Sequence, residues 1–339
     1  MRGGIYKTMT VFIWIFGIAV ALIALILGAL AAFTARTARR VEKTLPPPGR
    51  FIDIDGANIH YVDAGAGPPL VLIHGLSGQH GNFTHSLLER LKSNYRVIIL
   101  DRPGSGYSKR PRGASGALAE QARTIARLIE ALELERPLII GHSLGGAIAL
   151  AVAVNHPEQV AGLALLAPVT HQPDQVPPLF RPLVIRSPFM RSLVARTLAT
   201  PLSIVNRDLV LDAAFGPQPA PRDYGTKGGG LLNLRPTSFI GASHDLIALT
   251  DENDLTARYG DIKVPVGILY GTADRLLDPT AHVKAVTAKL PDADCELIEG
   301  AGHMILICHA DRCVQFIARM ARRAAAANAG ATRPAKAPA

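Results

Sequence analysis

The longest uninterrupted pattern in the chain is apolar. From Val11 to Phe33 no charge breaks a run containing Ile13, Trp14, Ile15, Leu22, Ile23, Leu25 and Leu27, while Arg2 and Lys7 precede it and Arg36, Arg39, Arg40 and Lys43 follow. A helix of roughly 20 such residues crosses a bilayer, and the run exceeds the roughly 7–15-residue core of a cleaved signal. Residues 11–33 are therefore expected to be an uncleaved transmembrane anchor. The small residues from Ala29 to Ala32 keep signal cleavage as the competing reading. Residues 34–49, ending in Leu45-Pro46-Pro47-Pro48-Gly49, are expected to be a stiff linker.

From Arg50 onward the pattern changes to short apolar runs alternating with amphipathic stretches. Phe51–Ile54 and Asn58–Val62 flank Asp55-Gly56 and predict a hairpin. Leu70–Ile73, Arg96–Leu100, Leu138–Ile140, Val160–Leu166, Val264–Tyr270 and Cys295–Ile298 predict further strands, mostly apolar throughout, as strands covered on both faces must be. Asn82–Lys92 and Ala117–Leu132 predict helices, the second from the spacing of Leu118, Ile125, Leu128, Ile129 and Leu132. The alternation predicts an α/β domain built on a mainly parallel sheet with helices on both faces, formed by residues 50–168 and 262–322. Residues 169–261 break the rhythm with many prolines and with Gly228-Gly229-Gly230, and predict a helical cap inserted at the end of the sheet. Arg181, Arg186, Arg191 and Arg196 recur every five residues within it, about 140° per step on any helix, and are expected to face solvent. Residues 323–339, mostly alanine, are expected to be a disordered tail.

Charge refines this picture. The formal net charge is +9, but residues 1–50 carry seven Lys/Arg against Glu42 alone, and residues 318–339 carry five with no acid. The remaining body stands at −2, so basic ends flank a near-neutral domain. That distribution fits a membrane surface better than a nucleic-acid groove, and no nucleic-acid partner is expected. Cys295, Cys308 and Cys313 form neither a disulfide framework nor a C-x-x-C pair. Cys308 and Cys313, five apart on a helix, point in different directions, so a zinc site with His303 and His309 is not expected and no cofactor is implied.

The chemistry concentrates at residues 137–155. A strand, then Gly141-His142-Ser143-Leu144-Gly145-Gly146, then an apolar helix is the G-x-S-x-G pattern in the strand–turn–helix context it requires. Glycines on either side of so sharp a turn let the Ser143 hydroxyl stand clear, and the helix start presents free backbone N–H groups.

Four motifs in order, His74-Gly75 after a strand, Asp101-Arg102-Pro103-Gly104-Ser105-Gly106-Tyr107-Ser108, the serine turn, and Gly300-Ala301-Gly302-His303, make residues 50–320 resemble the α/β-hydrolase superfamily. The resemblance implies a Ser–acid–His triad in that chain order: Ser143 as nucleophile, Asp274 in Gly271-Thr272-Ala273-Asp274 as acid, and His303 as base. Asp278 is the rival acid; His282 and His309, on predicted helices, are weaker rivals for the base. It also implies an oxyanion hole from the backbone N–H groups of Leu144 and Leu76, and a structural role for residues 101–108. A serine where dehalogenases and epoxide hydrolases of this fold carry aspartate implies acyl transfer to water. The expected function is a membrane-anchored serine hydrolase acting on an ester or other activated acyl compound, with a small, apolar acyl substrate and membrane lipid as its partners. A C–C bond hydrolase of dienone-acid type, a cofactor-free perhydrolase and a catalytically idle binding protein are the alternatives. The denser positive flank after the apolar run places the domain on the cytoplasmic side.

Overall fold

Eight strands form one sheet in the computed structural model, which describes residues 2–172, 175–251 and 255–331. They are β1 (Arg50–Ile54), β2 (Ala57–Ala64), β3 (Pro69–Ile73), β4 (Arg96–Leu100), β5 (Leu138–His142), β6 (Gly162–Leu166), β7 (Val266–Gly271) and β8 (Asp294–Ile298). Their order is β1-β2-β4-β3-β5-β6-β7-β8, with β1–β2 and β2–β4 antiparallel and every other pair parallel. β3, β5 and β6 lie at the centre. Helices Leu118–Ala131 and Leu144–Asn155 and the C-terminal helix Ala310–Ala331 cover the faces. This explains why β5 and β6 read as unbroken apolar runs rather than as alternating ones: both of their faces are buried. The edge strand β8 alternates instead.

Two predicted elements change shape. The expected helix over 82–92 is two short pieces, Gly81–Thr84 and Leu88–Leu91, joined by a turn at 85–87 where Arg90 Nη1 donates to the Ser86 carbonyl at 2.6 Å. The expected tail is helical from 323 to 331. Alanine is the strongest helix former, Ala324 is buried, and Arg323 pairs with Asp294 on β8 at 3.1 Å. Residues 332–339 of that tail lie outside the described residues.

The largest difference is at the other end. The apolar segment does not give way to a linker at residue 34. One helix runs from Arg2 to Thr44, long and apolar enough to cross a membrane, and only residues 45–49 separate it from β1. Leu27, Leu30, Ala31, Thr34, Thr37, Ala38 and Val41 form a half-buried to buried stripe at helical spacing along it. Thr34 Oγ1 donates to the Thr197 carbonyl at 3.3 Å. The helix therefore docks on the cap, whose helices are Pro188–Thr197, Ala199–Val205 and Arg207–Phe215 in close succession and Pro236–Asp251 after a 20-residue connection (216–235). Residues 173–174 and 252–254 of the insertion lie outside the described residues. Within the cap, Arg191 is buried rather than solvated; its Nε and Nη2 donate to the Ile185 carbonyl at 3.0 and 2.9 Å.

Val41 is buried in this seam, whereas Lys43 is exposed. Val41→Asp, which puts an unpaired carboxylate there, is expected to cost about 2–4 kcal/mol, seen as a drop of several degrees in the melting temperature of the full chain in detergent. Lys43→Asp should melt with the parent.

Candidate active site

Ser143 sits on the turn between β5 and its helix with φ 55° and ψ −122°, a conformation that residues with a side chain rarely adopt. Close packing holds it there. A Cβ on Gly145 would stand 2.0 Å from the Ile73 carbonyl oxygen of β3, and one on Gly141 would stand 2.4 Å from the Gly145 oxygen. The two glycines therefore serve less to clear space around the hydroxyl than to let three backbone segments touch. Ser143 N–H donates to the Leu166 carbonyl at 3.1 Å, and its own carbonyl accepts from Gly146 at 2.8 Å and Val169 at 2.9 Å.

The other expected groups come from loops at the same end of the sheet. Asp274 follows β7 and His303 follows β8, and His303 Nδ1 lies 2.7 Å from Asp274 Oδ2. Asp274 Oδ1 accepts from the N–H groups of Leu276 at 2.8 Å and Leu277 at 3.1 Å. Burial opposes ionisation of this carboxyl. The adjacent His303 and these donors nevertheless hold it below its ordinary range. The rival Asp278 is occupied elsewhere, capping the helix Pro279–Thr287 by accepting from Thr280 N–H at 2.9 Å. His282 is buried against Thr170, its Nδ1 3.0 Å from Thr170 Oγ1, and burial followed by His171 pushes its pKa down to about 4. Neither His282 nor His309 lines the cavity described below.

Ser143 and His303 open on a cavity of about 160 Å³ together with Leu76, Leu144 and Met304. Its apolar wall comes from Val169, from Leu276 and Leu277 of the acid loop, and from Leu179, Phe180, Val210, Leu246 and Leu249 of the insertion; Asn82, Tyr224 and Asn233 add neutral polar groups. The insertion thus roofs the end of the sheet where Ser143 and His303 line one cavity. The loop after β3 passes so close that a Cβ on Gly75 would lie 2.8 Å from Ser143 Cβ. This puts the Leu76 backbone beside the serine. Neither Leu76 N–H nor Leu144 N–H has a protein acceptor among the described residues.

Behind this loop lie Asp101 and Arg102, for which a structural role was expected but whose partners the sequence did not reveal. Arg102 is fully buried; its Nε donates to the His74 carbonyl at 3.0 Å and Nη2 to the Gly75 carbonyl at 2.9 Å. Its Nη1 reaches Gln121 of the helix Leu118–Ala131 and Asp245 of the cap, each at 2.6 Å. Asp101 next to it accepts from His60 Nδ1 at 2.8 Å, His80 N–H at 2.6 Å and Tyr107 N–H at 2.8 Å. Burial again opposes the charge, and His80 and His60 more than offset it. His60 Nε2 in turn meets the Pro48 carbonyl and Tyr107 Oη donates to the Leu45 carbonyl, so the five residues after the long helix are fastened to the same hub. His60, His80 and Asp101 have metal-ligand chemistry and proximity, but Nδ1 of both histidines is spent on the carboxylate. The signal in the sequence was Asp101-Arg102 itself, a charged pair at the end of an apolar strand.

A family model described as alpha/beta hydrolase fold matches residues 68–310. An uncharacterized protein of Mycobacterium tuberculosis is 30% identical over 276 residues, 79% of each chain. A 2-hydroxy-6-oxononadienedioate/2-hydroxy-6-oxononatrienedioate hydrolase of Paraburkholderia xenovorans is 29% identical over 277 residues, covering 78% of this chain and 90% of that one. Among solved structures, the crystal structure of a membrane phospholipase A, described as a bacterial virulence factor, superposes with a TM-score of 0.63 at 23% identity, over 94% of this chain and 98% of the other. The chain belongs to the alpha/beta hydrolase fold family and is a hydrolase of that fold.

His142 supplies a pH test of the site's packing. Its ring lies 4.9 Å from that of His303, its Nε2 is 3.3 Å from the His303 carbonyl, and burial, followed by His303, lowers its pKa from 6.5 to about 3. The unfolded chain takes up this proton below pH 6.5 while the folded chain refuses it until about pH 3. Stability from this group is therefore complete above 6.5 and falls with pH between those values, by about 1.4 kcal/mol per unit at most. Denaturant unfolding of His142→Gln against wild type should show that part of the acid slope removed; parallel slopes would contradict the burial argument.

Proposed function

We propose that the protein is a serine hydrolase that cleaves a carboxylic ester or similarly activated acyl bond, and that the helix Arg2–Thr44 anchors it in a membrane. The observation that carries the reading is His303, paired with buried Asp274 at 2.7 Å, lining the same apolar cavity as a serine on a strained turn. In this reading His303 Nε2 takes the Ser143 proton as Oγ attacks the acyl carbon. Asp274 holds the imidazole in the required tautomer and stabilises the imidazolium. The developing oxyanion meets the N–H groups of Leu144 and Leu76. His303 then protonates the leaving alcohol, and a water activated by the same imidazole releases the acid from Ser143.

The second reading, C–C bond hydrolysis, has the Paraburkholderia relative on its side. That relative's name describes a substrate with two carboxylates. The described cavity wall here offers neutral polar groups and aliphatic side chains, with no lysine or arginine among its described residues. A neutral acyl chain suits such a wall better than a diacid, because an unpaired buried carboxylate is costly.

Ser143→Ala is expected to lower turnover of p-nitrophenyl esters by several orders of magnitude and to abolish labelling by a fluorophosphonate probe, with the fold unchanged by circular dichroism. Asp274→Asn should cost far more than Asp278→Asn; the opposite ranking would move the acid to Asp278.

The denser positive flank after the apolar run, Arg36, Arg39, Arg40 and Lys43 against Arg2 and Lys7, favours the cytoplasmic side for the domain. Protease added to spheroplasts should spare the domain until they are lysed. Digestion without lysis reverses the orientation and leaves the chemistry untouched.

A further inference from the structure

We propose that the outer face of the cap, carrying Phe189, Met190, Leu198, Leu202, Val205 and Leu209, is a second lipid-contacting surface that seats in the bilayer interface and passes acyl chains from the membrane to the Ser143 cavity. The proposal rests on the anchor reading above. It adds the orientation of the domain on the membrane and the route by which substrate arrives.

The side chains come first. Phe189 is 74% exposed, Val205 80%, Leu209 61% and Leu202 53%, and Met190 and Leu198 are exposed as well. Single exposed apolar residues are ordinary, but six over three consecutive helices form a patch of the kind that marks an interaction surface. Leu198, Leu202, Val205 and Leu209 follow one another at i, i+4, i+7 and i+11, across helices separated only by Asn206. That spacing gathers them into one stripe, while Ala195, Thr197, Ala199 and Thr200 are buried.

Position identifies the occupant. The long helix packs against the first two of these cap helices, and its contact between Thr34 and Thr197 comes one residue after the apolar run ends at Phe33. At 1.5 Å of rise per residue, a span from Val11 to Phe33 covers about 34 Å, slightly more than the roughly 30 Å hydrocarbon layer. The docked cap helices therefore begin at the edge of the hydrocarbon. Leu27, Leu30 and Ala31, inside the run, are already half-buried. A cap held at that depth presents its apolar face to the headgroup and upper acyl region rather than to bulk water. Charge agrees: Arg36, Arg39 and Arg40 follow the apolar run on the long helix and Arg196 is exposed on the cap helix Pro188–Thr197, as suits anionic headgroups.

The face also leads inward. Val210, next to exposed Leu209, is 43% exposed and lines the cavity with Leu179 and Phe180. An acyl chain entering beside Val210 would meet aliphatic surface from the interface to Ser143.

The test uses the full-length chain in vesicles of zwitterionic and anionic phospholipid, some brominated on the upper acyl chain. Trp14 is the single tryptophan, so Trp14→Phe gives a background in which Val205→Trp or the distant Leu297→Trp reports one site. Tryptophan at 205 is expected to shift to the blue and lose about half its emission to brominated lipid, while tryptophan at 297, on the edge strand, keeps its emission. Unquenched tryptophan at 205 with quenched Trp14 in the parent chain would overturn the proposal and leave the anchor standing. A blue shift without quenching would also overturn it, because a second copy of the chain, not lipid, would then cover the face. Trp14 itself unquenched by mid-chain brominated lipid would remove the anchor reading and the proposal with it.

Discussion

The turn at Ser143 is the constraint around which the molecule is assembled. A residue with a side chain at φ 55° and ψ −122° is held against its own preference, at a cost of about 1–3 kcal/mol. The surroundings over-determine it: the Leu166 carbonyl takes its N–H, the Val169 and Gly146 N–H groups take its carbonyl, and β3 approaches until only hydrogen fits at Gly145. Those partners belong to β3, β5, β6 and the helix that follows the serine, the most deeply buried part of the sheet. The core thus both stabilises the fold and prevents the serine from relaxing into an ordinary turn.

A second set of buried interactions carries that order outward. Arg102 ties the carbonyls of His74 and Gly75 to Asp245 of the cap, and Asp101 ties the segment at His80 to the peptide groups of residues 45–48 through His60 and Tyr107. Burying such charges is tolerable only when their hydrogen-bonding capacity is filled, and here the carboxylates and most guanidinium groups find partners. One hub therefore joins the loop beside the serine, the roof of the cavity and the exit of the membrane-length helix. The Ser143 end of the sheet, the cap and the helix are geometrically dependent on one another, unlike a domain on a loose tether.

The sheet and the candidate positions Ser143, Asp274 and His303 were legible because their signals are local. Strands such as Arg96–Leu100 declared themselves by apolar runs bounded by turn residues. Glycines at 141 and 145 marked a place where backbones touch, and an aspartate just after β7 and a histidine just after β8 fell at the strand ends where loops meet. Even the tail, read as disordered, carried its helix in plain view as alanine; what was missing was its partner, Asp294 on β8.

The sequence by itself determined the order of strands and helices, the strained serine turn and the apolar segment, because each follows from the properties of residues within a few positions of one another. Only the tertiary structure decided that Arg191 would be buried, that Asp278 would cap a helix while Asp274 met His303, and that residues 34–44 would extend a helix against the cap instead of forming a linker. Those outcomes depend on partners distant along the chain: Thr34 meets Thr197 across 163 residues and Arg102 meets Asp245 across 143. Periodicity shows that a helix has a face to bury; it does not say which surface will cover it.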